Sequence, residues 1–100
     1  MAISQNLAAD NKTVTISISG RFDFAIQREF RSSYRDVPAN AEYKIDFGQV
    51  DYIDSSALGM LLLLREHAGG ASARVNLINV SPNIRKILAI ANFEKMFSIS

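Results

Sequence analysis

The chain has 100 residues, 48% of them apolar, which is enough for one core and argues against a second domain. It has no cysteine, which excludes disulfides, thiolate metal sites and thiol nucleophiles and suits a reducing cytoplasm. Eleven basic against ten acidic residues leave a formal charge of +1, so composition supplies no large field for nucleic acid or anionic lipid.

The opening "MAISQNLAADNKT" lacks the basic and apolar regions of a signal peptide. No apolar run, Met60 to Leu64 included, approaches the roughly 20 residues needed to span a bilayer. The expectation is a soluble protein with no membrane insertion. "MAISQNLA" is expected to pair as an antiparallel strand with the segment after it, across a turn in "ADNKT" that uses Asp10 and Asn11. In "TVTISISG", Val14, Ile16 and Ile18 alternate with Thr13, Thr15, Ser17 and Ser19, the period of a strand with one buried face. In "RFDFAIQREFRSSYRDV", Ile26, Phe30, Tyr34 and Val37 recur at three- and four-residue spacing, as on an amphipathic helix capped by Asp23.

"EYKIDFG" returns to alternation, with Tyr43, Ile45 and Phe47 set against Lys44 and Asp46. From Ser55 to about Ala68 the chain is too apolar for a surface helix and too long for one strand. This predicts a helix covered by the sheet, its leucines a buried anchor, ended by Gly69 and Gly70. "ARVNLINV" reads as a strand. "SPNIRKILAIANF" reads as a helix with Ser81 as cap and Pro82 at its first position, burying Ile84, Ile87, Leu88 and Ala91. Phe93, Met96 and Phe97 form a short closing segment. Strands separated by helices pair parallel through right-handed crossovers. The expected fold is therefore α/β, a small mixed sheet of four or five strands carrying three or four helices.

His67 is the lone histidine, and no metal-protease, nucleophile-elbow or phosphate-loop spacing occurs, so no catalytic residue, metal or cofactor is expected. His67 reads as an exposed residue favoured by a helix C-terminus. Asp46, Asp51 and Asp54 offer weak grounds for two-carboxylate catalysis, since acids near strand ends usually cap turns. Asp54, Ser55 and Ser56 stand at a strand-to-helix junction. Asp and Ser are preferred caps, worth about 1 kcal/mol, so plain capping explains them. A serine there also sits on an exposed edge where the partial positive charge of a helix start suits an anion such as a phosphate. The residues alone leave both readings open.

"GRFD" (20–23), "IDFGQVDYIDSSALG" (45–59) and "NVSPNIRKIL" (79–88) resemble the signatures of the STAS domain family, the sulfate-transporter and anti-sigma-factor-antagonist domains. They match its Gly-x-Leu-Asp turn, its strand running into Asp-Ser-Ser/Thr-Gly-Leu-Gly and its later strand with a capped helix, and the resemblance runs from about residue 3 to 97. It implies a stand-alone anti-sigma factor antagonist. The first hydroxyl after the motif acid, Ser55 here, would be phosphorylated by an anti-sigma kinase and cleared by a PP2C-type phosphatase, with Ser56 the alternative acceptor. Asp23, Asp54, Ser55, Ser56, Ala57, Leu58 and Gly59 would form the surface that meets an anti-sigma factor or serine kinase, with no direct nucleic-acid contact. Ala57 stands where the family commonly has Gly, and Phe22 where it has Leu. The alanine is expected to stiffen the first helical turn and alter kinase selectivity without removing the acceptor. The competing expectation is a non-switching STAS subunit of a lipid-transport ATPase or of a signalling scaffold, in which the hydroxyls only cap the helix.

Overall fold

The computed structural model describes residues 2–8, 10 and 12–100. Strands β1 (Ile3–Leu7), β2 (Thr13–Phe22), β3 (Glu42–Ile53), β4 (Arg74–Ile78) and β5 (Ser98–Ile99) alternate with helices α1 (Gln27–Tyr34), α2 (Ser55–His67) and α3 (Pro82–Ile90). The sheet follows chain order from β1 to β5. β1 pairs antiparallel with β2, and every later pairing is parallel. This is the expected mixed α/β sheet. The closing segment adds the fifth strand after a one-turn 3-10 helix at Phe93–Lys95. Of the expected first turn, Asp10 is described and its carboxylate accepts from Lys12 N at 2.8 Å, whereas Ala9 and Asn11 lie outside the described residues.

Because successive parallel strands advance in one direction, right-handed crossovers place all three helices on one face of the sheet. The alternation in β2 and β3 follows from that arrangement. Val14, Ile16 and Ile18 with Tyr43, Ile45 and Phe47 are fully buried under the helices, and Thr15, Ser17, Lys44 and Asp46 stay half-exposed on the open face. Tyr43 is reconciled with the core by its hydroxyl, which donates to the Pro38 carbonyl at 3.1 Å. Burial, with Tyr34 as a lesser contributor, pushes its pKa up to about 12.

α2 buries one stripe: Ala57, Met60, Leu61, Leu64 and, just past its end, Ala68. Each fully buried leucine contributes about 1.5–3 kcal/mol. The expectation that the whole leucine run is buried is corrected, because Leu62 and Leu63 fall on the outward side of that stripe and Leu63 is 56% exposed. α3 likewise buries Ile84 and Leu88, but Ile87 lies off that line at 41% exposure and Ala91 is half-buried. His67 is not simply solvated. It is half-buried, its Nε2–H donates to the Val37 carbonyl at 2.9 Å, and its ring packs 5.1 Å from that of Tyr34.

Candidate functional site

Past Asp46 the sheet changes character. β4 stops opposite that residue, at Ile78, and β3 continues with β2 as its partner. Between Asp46 and Tyr52 the register slips twice, and each slip inserts one extra residue into β3. Buried positions accordingly move from every second residue to every third: Phe47, Val50 and Ile53. Gly20 sits at the second slip with φ +80°, a conformation that costs other residues about 1–2 kcal/mol.

This two-stranded extension ends in register, Phe22 opposite Ile53, so the next residues, Asp23 and Asp54, emerge side by side. Both act as caps. Asp23 Oδ1 accepts from Ala25 N at 3.0 Å and starts a one-turn 3-10 helix (Phe24–Ile26), which delays α1 to Gln27. Asp54 Oδ1 accepts from Ala57 N at 3.0 Å and starts α2. The cap is thus the carboxylate and neither serine. Ser55 is exposed at the first helical position, Ser56 is half-buried at the second, and among the described residues neither hydroxyl makes a hydrogen bond.

The remaining expected residues divide. Gly59 is exposed one turn beyond Ser55, with open space where a side chain would begin. Leu58 is half-buried against the core. Ala57, expected on the partner-facing surface, is fully buried and takes no part in one; its methyl packs in the core beneath the serines. Phe22, the other departure from the family pattern, is also core, its ring 5.1 Å from Phe30 and 5.9 Å from Phe47. Asp46 lies outside this site, tied to Gly48 N at 2.8 Å and Asn79 Nδ2 at 3.0 Å. It lies seven residues below Ile53, about 23 Å of fully extended strand and less with two bulges. The start of "NVSPNIRKIL" is held at that lower level by the Asn79 bond, away from Asp54, where Ser81 caps α3.

Two flanking residues had no obvious mark in the sequence. Arg21 donates from Nε to Asp23 Oδ2 at 3.2 Å, and its guanidinium lies 4.0 Å above the ring of Tyr52, the residue opposite it. Each stands two residues before a capping acid, and that shared offset was the available signal. Phe24 is 66% exposed beside them. The edge therefore presents a free hydroxyl, two half-buried carboxylates and an exposed aromatic ring. Among the described residues no cluster of His, Cys, Asp or Glu could hold a metal ion, and no helix is long and apolar enough to cross a membrane.

Known proteins share this fold. A STAS-domain containing protein of Pseudomonas aeruginosa (strain UCBPP-PA14) is 52% identical over 101 residues, covering 100% of both chains. The anti-sigma factor antagonist SpoIIAA in its unphosphorylated form superimposes with a TM-score of 0.74 at 20% identity, covering 99% of this chain and 87% of that one. The Bacillus cell fate determinant SpoIIAA in its phosphorylated form gives a TM-score of 0.68 at 19% identity, covering 99% and 91%. The family described as "Mlab, STAS domain" matches residues 6–98, and the chain belongs to this STAS domain family.

Proposed function

We infer that the protein is a cytoplasmic anti-sigma factor antagonist whose STAS domain, when unphosphorylated, binds an anti-sigma factor or an equivalent regulator. Phosphorylation of Ser55 by a serine kinase blocks that contact, and a PP2C-type phosphatase restores it. The carrying observation is the division of labour in the first turn of α2: Asp54 makes the cap bond, and the exposed Ser55 hydroxyl is left without a structural partner. A modifying enzyme can reach it without opening the fold, whereas Ser56 is half-buried. The likeness to SpoIIAA, solved in both phosphorylation states, supports the same reading.

A phosphate on Ser55 adds about 1.5–2 negative charges. Its attraction to the start of α2, about 0.3–1 kcal/mol, is opposed by Asp54 beside it, so little internal rearrangement follows. Against a partner the balance changes, because burying an unpaired phosphate costs several kcal/mol and each 1.4 kcal/mol is tenfold in affinity. The switch works by obstructing an interface while leaving the fold in place.

Pull-downs with wild type, Ser55→Ala and Ser55→Asp test this, with phosphate mapped by mass spectrometry after incubation with the source's kinases. The expected outcome is phosphate on Ser55, a regulator captured by wild type and Ser55→Ala, and its loss with Ser55→Asp. A Ser55→Ala, Ser56→Ala double variant that still takes up phosphate would sink the acceptor assignment. A membrane ATPase recovered equally with wild type and Ser55→Asp would replace the switch by a non-switching subunit.

A further inference from the structure

Helices α1 and α2 pack side by side and leave a groove along their outer seam. Its floor is Phe30, Tyr34, Met60 and Leu63, in two adjoining hollows of about 250 and 280 Å³ that share Arg31, Tyr34 and Leu63. The rim on the α1 side is basic. Arg28, Arg31 and Arg35 recur at three and four residues, which puts them on one helix face over about 10 Å. All three are exposed, and no carboxylate lines either hollow. Glu29, on the same helix, is turned toward β1, where its carboxylate accepts from Ile3 N at 3.3 Å. The ion pair found among the described residues, Arg21–Asp23, lies elsewhere.

Three like charges one turn apart oppose one another and slightly weaken the helix that carries them. In a chain of net charge +1 this concentration is local, and it borders an apolar floor on which Leu63 is 56% exposed. The two hollows form one elongated, open seam, unlike the enclosing cleft that buries most of a small ligand's surface. Nucleic acid would satisfy the arginines and leave the apolar floor uncovered, and a flat bilayer surface cannot enter a concave seam. An amphipathic helix satisfies both parts, with carboxylates at matching spacing against the arginines and apolar residues on the floor.

We propose that the α1–α2 groove docks an acidic amphipathic helix of a protein partner around Leu63, which lies about 12 Å along α2 from Ser55, and does so independently of Ser55 phosphorylation. The groove supplies a standing hold, strengthened at low salt, on whichever partner carries such a helix.

The probe is a surface-displayed library of random 16-residue peptides, selected on the full chain and followed by 15N- and methyl-detected NMR with synthetic versions of the winners. The expected winners carry Glu or Asp at helical spacing with apolar residues between, and they shift the signals of Phe30, Tyr34, Met60 and Leu63. Arg31→Glu weakens their binding about tenfold, and Leu63→Ala by several-fold. Raising salt from about 50 to 300 mM weakens it further, and Ser55→Asp leaves it unchanged. Circular dichroism melts are expected to show that both groove variants remain folded, since both substitutions are exposed. Winners that are neutral or basic, that map to another face, or that bind Arg31→Glu as well as wild type overturn the proposal. So do binding to phosphatidylglycerol vesicles that Arg31→Glu abolishes in place of peptide binding, and self-association that Arg31→Glu abolishes. The unchanged Ser55→Asp arm keeps this result separate from the fate of the phosphorylation reading.

Discussion

The two halves of β3 follow different rules. Up to Asp46 the strand is flanked by β2 and β4, alternates without exception and buries every second side chain under the helices. Beyond it the strand keeps one neighbour, takes in two extra residues and ends at a cap. The first half is the fold's foundation; the second lifts one helix start and its hydroxyls clear of the rest of the sheet. Regular pairing concentrates stability, and relaxed pairing projects chemistry outward.

Substitutions in the two halves should therefore separate stability from binding. Ile45→Ala, in the regular half, is expected to cost about 2–5 kcal/mol in urea unfolding, while the folded fraction keeps its affinity for partner. Gly20→Ala probes the bulged half. The added methyl meets no atom within 4 Å, so its cost is conformational, about 1–2 kcal/mol, and a smaller loss would mean that the slip re-registers around it. Asp54→Ala should cost about 1 kcal/mol by removing the carboxylate acceptor of Ala57 N–H, measured as a lower Tm with α2 otherwise intact by hydrogen exchange. The smallest effect has the opposite sign. Gly59→Ala, exposed inside α2, should stabilise by up to about 1 kcal/mol and yet weaken the partner that approaches Ser55; unchanged affinity would remove Gly59 from the contact surface.

Much of this was legible in the residues, for identifiable reasons. The alternation of Val14–Ile18 and Tyr43–Phe47 could be read directly because each strand has one wet and one dry face. The upper half of β3 could not, because bulges replace a period of two by one of three and "GQVDYI" resembles no regular pattern. Apolar identity alone could not separate Leu61 and Leu64 from Leu62 and Leu63; only the stripe anchored by Ala57 does so. For the same reason the motif does not reveal that its position at Ala57 belongs to the core. The proximity of Asp23 and Asp54 followed from the resemblance, but its cause, the opposition of Phe22 and Ile53, needed the register. The α1–α2 groove was hidden because its arginines read only as the wet side of a helix until α2 stood beside them.

The cap at Asp54 has a consequence for how such a chain can change over generations. With the carboxylate holding the first turn and Ala57 holding the core, the side chains at positions 55 and 56 contribute no hydrogen bond among the described residues. Selection can exchange these hydroxyls, one for threonine or an acid, another for an inert residue, with little effect on folding. A scaffold arranged this way can gain, lose or retune a signal while the architecture that presents it stays fixed.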